Sequence, residues 1–127
     1  MEKYTRQESA KTPFIELDSE TGMFEFRGLS IPENSLRFYT PLFEWMEKYC
    51  QSPHATTVLN FYLDYFNTSS ATVFADLFEK LDLLYSSGKS EITINWHHQD
   101  TDTDMLEAGE DYKSITKIPF NFVSYEK

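Results

Sequence analysis

The sequence predicts a single α/β domain, one mixed β-sheet of about five strands with helices packed against it. Three observations carry this. Residues 56–66 form an almost unbroken apolar and aromatic run rich in strand formers, as expected for a central strand covered on both faces. Apolar residues then recur at spacings of three and four, which is one face of a helix. Finally, residues 91–97 alternate strictly, so strand, helix and strand follow in order and a parallel pair is expected. At 127 residues with 17% Phe, Tyr and Trp, the chain has the size and the large side chains for one core. That core should occupy about residues 12–124 of a domain spanning 1–127.

The elements follow in chain order. Residues 12–18 and 22–28 alternate apolar with polar on either side of Ser19, Glu20 and Thr21, which reads as an opening hairpin. Asn34 and Ser35 supply cap chemistry before Leu36, Tyr39, Leu42, Phe43, Met46 and Cys50, so a first helix is expected over about 34–50. Pro41 lies inside this pattern and should kink the helix or split it near Thr40. After the central strand, Asn67, Thr68, Ser69 and Ser70 are four consecutive cap-type residues. The stripe Val73, Phe74, Leu77, Phe78, Leu81 and Leu84 then gives a second helix over about 70–86, stopping at Gly88. In the next strand Ile92, Ile94 and Trp96 should face the core. An acidic loop over 98–104 leads to a short helix over about 105–115, interrupted by Gly109, and residues 118–124 should form a last, edge strand.

Composition excludes several functions. Eleven basic against twenty-one acidic residues give a net charge of −10, which opposes the phosphate neutralisation on which nucleic-acid binding rests. Anionic membranes are poor partners for the same reason. No apolar run reaches the roughly 18 residues of a membrane helix, and the start of the chain lacks the apolar stretch of a signal peptide, so a cytoplasmic protein is expected. The single cysteine, Cys50, falls on the apolar face of the first helix and reads as packing.

Asp100, Asp102 and Asp104 have the first three spacings of a calcium-binding loop, but Met105 stands where the turn needs Gly and Asp111 where a bidentate Glu belongs. His97 and His98 are neighbours on a strand and point to opposite faces, so they make no zinc site. Three histidines without a nucleophile elbow, and no Gly-rich phosphate loop, give no catalytic constellation. Glu107 and Glu110 at helical spacing read as an exposed face. The chain is therefore expected to be no enzyme and to hold neither metal nor cofactor. The segment 64–71 differs, because it sets three hydroxyls where a strand ends and a helix begins. Backbone N–H groups and the helix dipole there suit an anion, although ordinary helix capping accounts for the same residues.

Two blocks in this chain, Asp-Tyr-Phe-Asn-Thr-Ser-Ser over 64–70 and Asp-Met-Leu-Glu-Ala-Gly-Glu-Asp over 104–111, are specific in sequence and order. Together with Thr12-Pro13, the run 28–34 (Gly-Leu-Ser-Ile-Pro-Glu-Asn), Tyr39-Thr40-Pro41-Leu42 and Trp96-His97, they make the chain resemble the SiaC family of bacterial regulatory phosphoproteins from about Thr12 to Val123. The resemblance implies a fold like the STAS-type anti-sigma-factor antagonists and a partner-switching role. It implies that Thr68 is phosphorylated by a dedicated protein kinase and dephosphorylated by a metal-dependent phosphatase, with Ser69 and Ser70 as secondary candidates. It further implies an effector such as a diguanylate cyclase, with cyclic di-GMP and biofilm growth downstream. The partner-binding residues expected on this basis are Asp64, Asn67, Thr68, Ser69, Ser70, Asp104, Glu107 and Glu110. The alternative is a constitutive acidic adaptor that is never phosphorylated and docks through the region 100–111.

Overall fold

The computed structural model describes residues 1–126. The elements run β1 (Tyr4–Arg6), β2 (Phe14–Asp18), β3 (Met23–Ser30), α1 (Ser35–Gln51), β4 (Thr56–Phe66), α2 (Thr68–Ser87), β5 (Glu91–Gln99), α3 (Thr103–Ser114) and β6 (Phe120–Tyr125). They build one six-stranded sheet in the order β1-β2-β3-β4-β5-β6. The first three strands form an antiparallel meander and the last four are parallel, as the hairpin and crossover readings required. Strand order increases by one at each crossover. Right-handed connections taken in the same direction place α1, α2 and α3 on one face of the sheet.

Alternation in the strands fits that layering. Ile15 and Leu17, Phe24 and Phe26, Leu59 and Phe61, and Ile92, Ile94 and Trp96 point under the helices and are buried. From above, α1 adds Tyr39, Leu42, Met46 and Tyr49, while α2 adds Phe74, Leu77, Phe78 and Leu81. Phe61 sits centrally, stacked on Phe26 at 4.7 Å and edge-on to Phe74 and Phe78. Burying each such ring is worth roughly 2–3 kcal/mol, so the rings in this layer are a main source of the fold's stability.

The opposite face of the sheet is open, which corrects the expectation that the central strand is covered on both sides. Val58, Asn60 and Tyr62 of β4 are only half-buried, and Thr56, Asp64 and Tyr65 are exposed. Tyr62, on this open face, is covered by neighbouring side chains and not by a helix: His97 stacks on its ring at 4.0 Å and the Arg27 guanidinium lies 5.2 Å from its centre. Asn60, Asn95 and Asn121, opposite one another on three parallel strands, join into an amide ladder. Asn95 Nδ2 donates to Asn60 Oδ1 at 3.1 Å and Asn121 Nδ2 to Asn95 Oδ1 at 3.2 Å.

Four further expectations are corrected. The strand count is six, because β1 adds to the edge by pairing Tyr4 with Leu17 and Arg6 with Ile15. Helix α1 is not split at Pro41 but runs through it. The third helix begins at Thr103 and continues through Gly109. Gly109 is small because the ring of Trp96 packs on it: a Cβ there would lie 2.5 Å from Trp96 Cδ1 and 2.7 Å from Phe122 Cε1. The second helix starts at Thr68, two residues earlier than expected, and ends at Gly88 in the left-handed conformation (φ 79°) that glycine adopts without strain.

Candidate functional site

The C-terminal ends of β3 and β4 lie side by side, and each leads into a helix capped by asparagine. Asn34 Oδ1 accepts from the Arg37 N–H at 3.0 Å, and Asn67 Oδ1 from the Ser70 N–H at 2.9 Å. The Asn67 N–H in turn donates to the Ser30 carbonyl at 3.0 Å, tying the start of α2 to the end of β3. Asn67, rather than Ser69 or Ser70, therefore caps α2. It is the extended residue immediately before the helix (φ −82°, ψ 174°), from which a side-chain oxygen reaches the N–H three residues on, whereas Ser69 and Ser70 already lie inside the helix.

Ser69 and Ser70, not needed as caps, join a hydroxyl network that is buried except at Ser69, which is exposed. Ser70 Oγ donates to the Ser30 carbonyl at 3.0 Å and lies 2.8 Å from Ser30 Oγ. Ser30 Oγ lies 2.6 Å from the Tyr39 hydroxyl. Ser35, the first residue of α1, contacts Ser69 Oγ at 2.7 Å, and Ser69 Oγ also donates to Asn67 Oδ1 at 3.1 Å. Ser30 and Ser70 are 0% exposed and Ser35 is 4% exposed, so these groups are structural partners of one another. Burial pushes the Tyr39 phenol well above its ordinary pKa and keeps it neutral.

Thr68 stands apart from this network. It is exposed, it is the first residue of α2, and its N–H and that of Ser69 belong to the first turn, which has no intrahelical acceptors. Tyr112 of α3 reaches over to donate its hydroxyl to the Ala71 carbonyl at 2.8 Å, fixing the same first turn from the other side. The position thus offers a free hydroxyl at the positive end of a helix held rigidly on three sides. A negative group there gains from the dipole and from unsatisfied N–H donors.

The remaining expected residues divide. Asp64 and Asp104 meet across a shallow depression of about 220 Å³ floored by Phe66, Met105 and Ala108, with Tyr65 on its rim and Asp102 alongside. Tyr65 is 58% exposed, large for an aromatic ring. Glu107 and Glu110 are exposed on α3 and line neither this depression nor the hydroxyl cluster. The acidic loop is spent on helix capping, since Asp102 Oδ1 accepts from the Met105 N–H at 3.0 Å. Among the described residues no three His, Cys, Asp or Glu side chains are grouped to hold a metal ion. Burial pushes the Cys50 thiol up in pKa, which suits packing and disfavours nucleophilic use. Sequence reasoning missed Ser30, Ser35 and Tyr39; the only signal was two serines bracketing the Pro32–Asn34 turn.

Fold and site together define a small single-sheet α/β domain with its distinctive polar chemistry at one helix N-terminus. The chain belongs to the SiaC family of regulatory phosphoproteins, whose profile matches residues 6–125. It is 25% identical over 116 residues to an uncharacterized protein of Pseudomonas aeruginosa (strain UCBPP-PA14), covering 91% of each chain. The solved structure of SiaC from Pseudomonas aeruginosa superposes with a TM-score of 0.90 at 24% identity, over 98% of this chain and 100% of that one. SiaC in the crystal structure of the diguanylate cyclase SiaD with its activator SiaC, from the same organism, also gives 0.90 at 24% identity, over 96% and 99% of the two chains. At that identity the likeness establishes the fold. Among the described residues no helix is long and apolar enough to cross a membrane.

Proposed function

We propose that this chain is a cytoplasmic partner-switching protein whose state is set by phosphorylation of Thr68 and which acts by binding, without catalysis of its own. A dedicated kinase adds the phosphate and a metal-dependent phosphatase removes it. The unmodified form engages an effector of the diguanylate cyclase class and so raises cyclic di-GMP and favours aggregation or biofilm growth. The Pseudomonas aeruginosa structure in which SiaC is the activator of SiaD supports that choice of effector.

The observation that carries the reading is the sorting of the three hydroxyls. Ser70 is sealed in the core, Ser69 is exposed but engaged by Ser35 and Asn67, and Thr68 is exposed with its hydroxyl unengaged. A phosphate on Thr68 adds a charge of about −1.5 to −2 with a tightly held hydration shell. An effector surface that must dehydrate this corner to bind is then repelled locally, and the fold stays as it is.

Mass spectrometry of the protein isolated from its native cells tests the modification. Phosphate is expected on the peptide spanning residues 67–70, at Thr68. A peptide unmodified under every growth condition would return the reading to a constitutive adaptor. Affinity for the cyclase, measured for wild type, Thr68→Ala and phosphorylated protein, tests the switch: the first two should bind alike and the third weakly.

A further inference from the structure

A surface groove lies away from Thr68, between the outer faces of α1 and α2. Two adjoining depressions, of about 470 and about 290 Å³, share Glu47, Lys80 and Leu83 and form one groove. Its apolar surface comes from Leu36, Phe43 and Leu83. Leu36 is 74% and Leu83 71% exposed, among the most exposed large apolar side chains of the chain, and both lie in this one groove. Solvent-facing leucines gathered along a groove mark an interaction site more often than leucines scattered singly.

The rim fixes the chemistry of the occupant. Glu44 and Glu47 line the α1 side, and Asp76 and Glu79 the α2 side. Against these four carboxylates stands one cation, Lys80, whose ammonium lies 5.9 Å from the Phe43 ring centre. None of the four has a cationic partner within salt-bridge distance among the described residues. From Leu36 to Cys50 the groove runs about 21 Å along α1, the length of roughly fourteen helical residues.

We propose that the α1–α2 groove is a docking surface for an amphipathic helix of a partner protein, apolar on the buried stripe and Lys/Arg-rich on its flanks. The leucines and Phe43 receive the apolar stripe, and the four carboxylates receive the basic flanks, which is the helix-in-groove mode of recognition. Charge complementarity of this kind sets the choice of partner and hastens encounter. The proposal goes beyond the Thr68 switch and stands whether or not Thr68 is modified.

A synthetic helix provides the test. A fluorescein-labelled peptide of about 18 residues, with Leu at i, i+3, i+4 and i+7 and Lys elsewhere, is titrated with the full chain and followed by anisotropy. Its counterpart carries Glu in place of Lys. The Lys peptide should bind at 1:1, at least about tenfold tighter than the Glu peptide, and weaken as salt rises. Amide shift changes should centre on Leu36, Phe43, Lys80 and Leu83. The variants Glu44→Lys/Glu47→Lys/Glu79→Lys and Leu36→Ser/Leu83→Ser should each weaken binding about tenfold or more. Reversal of three exposed carboxylates elsewhere, Glu20→Lys/Glu91→Lys/Asp100→Lys, should leave it within about twofold. Equal binding of the two peptides, equal loss in the two charge-reversal variants, or shifts centred on another surface would overturn the proposal.

Discussion

Placing a carboxylate first at position 68 and then at position 70 separates a site built for an anion from one that merely contains a hydroxyl. Thr68→Asp sets a negative charge on the exposed first residue of α2, where interaction with the helix dipole is worth about 0.3–1 kcal/mol in stability. Ser70→Asp places the same charge in a site with no solvent exposure, beside the Ser30 carbonyl that Ser70 Oγ now serves as donor. The hydrogen bond lost costs about 1 kcal/mol, and the unpaired buried charge raises the total to roughly 3 kcal/mol or more. Urea unfolding followed by the fluorescence of buried Trp96 reads both variants on one scale. For a domain of this size about 1 kcal/mol corresponds to about 4 °C in Tm, so Thr68→Asp should rise by roughly 1–4 °C and Ser70→Asp fall by about 12 °C or more. A buried carboxylate has its folded pKa raised above the unfolded value. The Ser70→Asp deficit is therefore full above that raised pKa and shrinks as pH falls through it towards about 4. A neutral Ser70→Asp, or a Thr68→Asp that loses more than about 1 kcal/mol, would refute the sorting of hydroxyls on which the proposed switch depends.

Three further outcomes follow from the geometry. Asn67→Ala removes the acceptor of the Ser70 N–H and of Ser69 Oγ and should cost about 1–2 kcal/mol in urea unfolding, whereas Asn67→Asp should stay within about 0.5 kcal/mol of wild type. Gly109→Ala drives a methyl into Trp96; about 1–3 kcal/mol of overpacking less about 1 kcal/mol of gained helix propensity leaves a net loss of up to about 2 kcal/mol, visible also as a changed Trp96 near-UV signal. Burial, then the neighbouring His98, lowers the pKa of His97. The unfolded chain then takes up a proton more readily, so this contribution to stability is whole above the ordinary value of about 6.5 and is lost as pH falls below it. An NMR titration should find the His97 midpoint below that value, and His97→Asn should flatten the decline in stability.

Much of the fold was legible because its periodicities are local. The hairpin, two helical stripes and the strictly alternating fifth strand state their own faces, and the strand-helix-strand order fixes the parallel pairs. What was illegible depended on contacts between distant residues. β1 has no apolar alternation, and only its partners Ile15 and Leu17 make it a strand. Gly109 looks like a helix breaker until Trp96, thirteen residues earlier, is seen to need the space. Tyr62 looks like a core residue because the sequence does not show that Arg27 and His97 cover it on the open face.

The same distinction governs the site. Four consecutive cap-type residues announced a helix N-terminus, yet their chemistry is too alike to say which one caps, which is buried and which is free. That is decided by Ser30 and Ser35, some 40 and 34 residues away, whose hydroxyls claim Ser70 and Ser69. With Asn67 bound to the backbone of Ser70, one hydroxyl remains outside the network. Selection of Thr68 is thus a property of the tertiary structure, and it follows that weakening the network should blur it: Ser30→Ala, which removes one partner of Ser70 Oγ, should loosen the first turn of α2. Amide exchange at Ser70, whose N–H is held by Asn67, should quicken in that variant while the exchange of β4 is unchanged. Unchanged exchange in the first turn would show that Asn67 alone holds it, and the buried serines would then have no part in presenting Thr68.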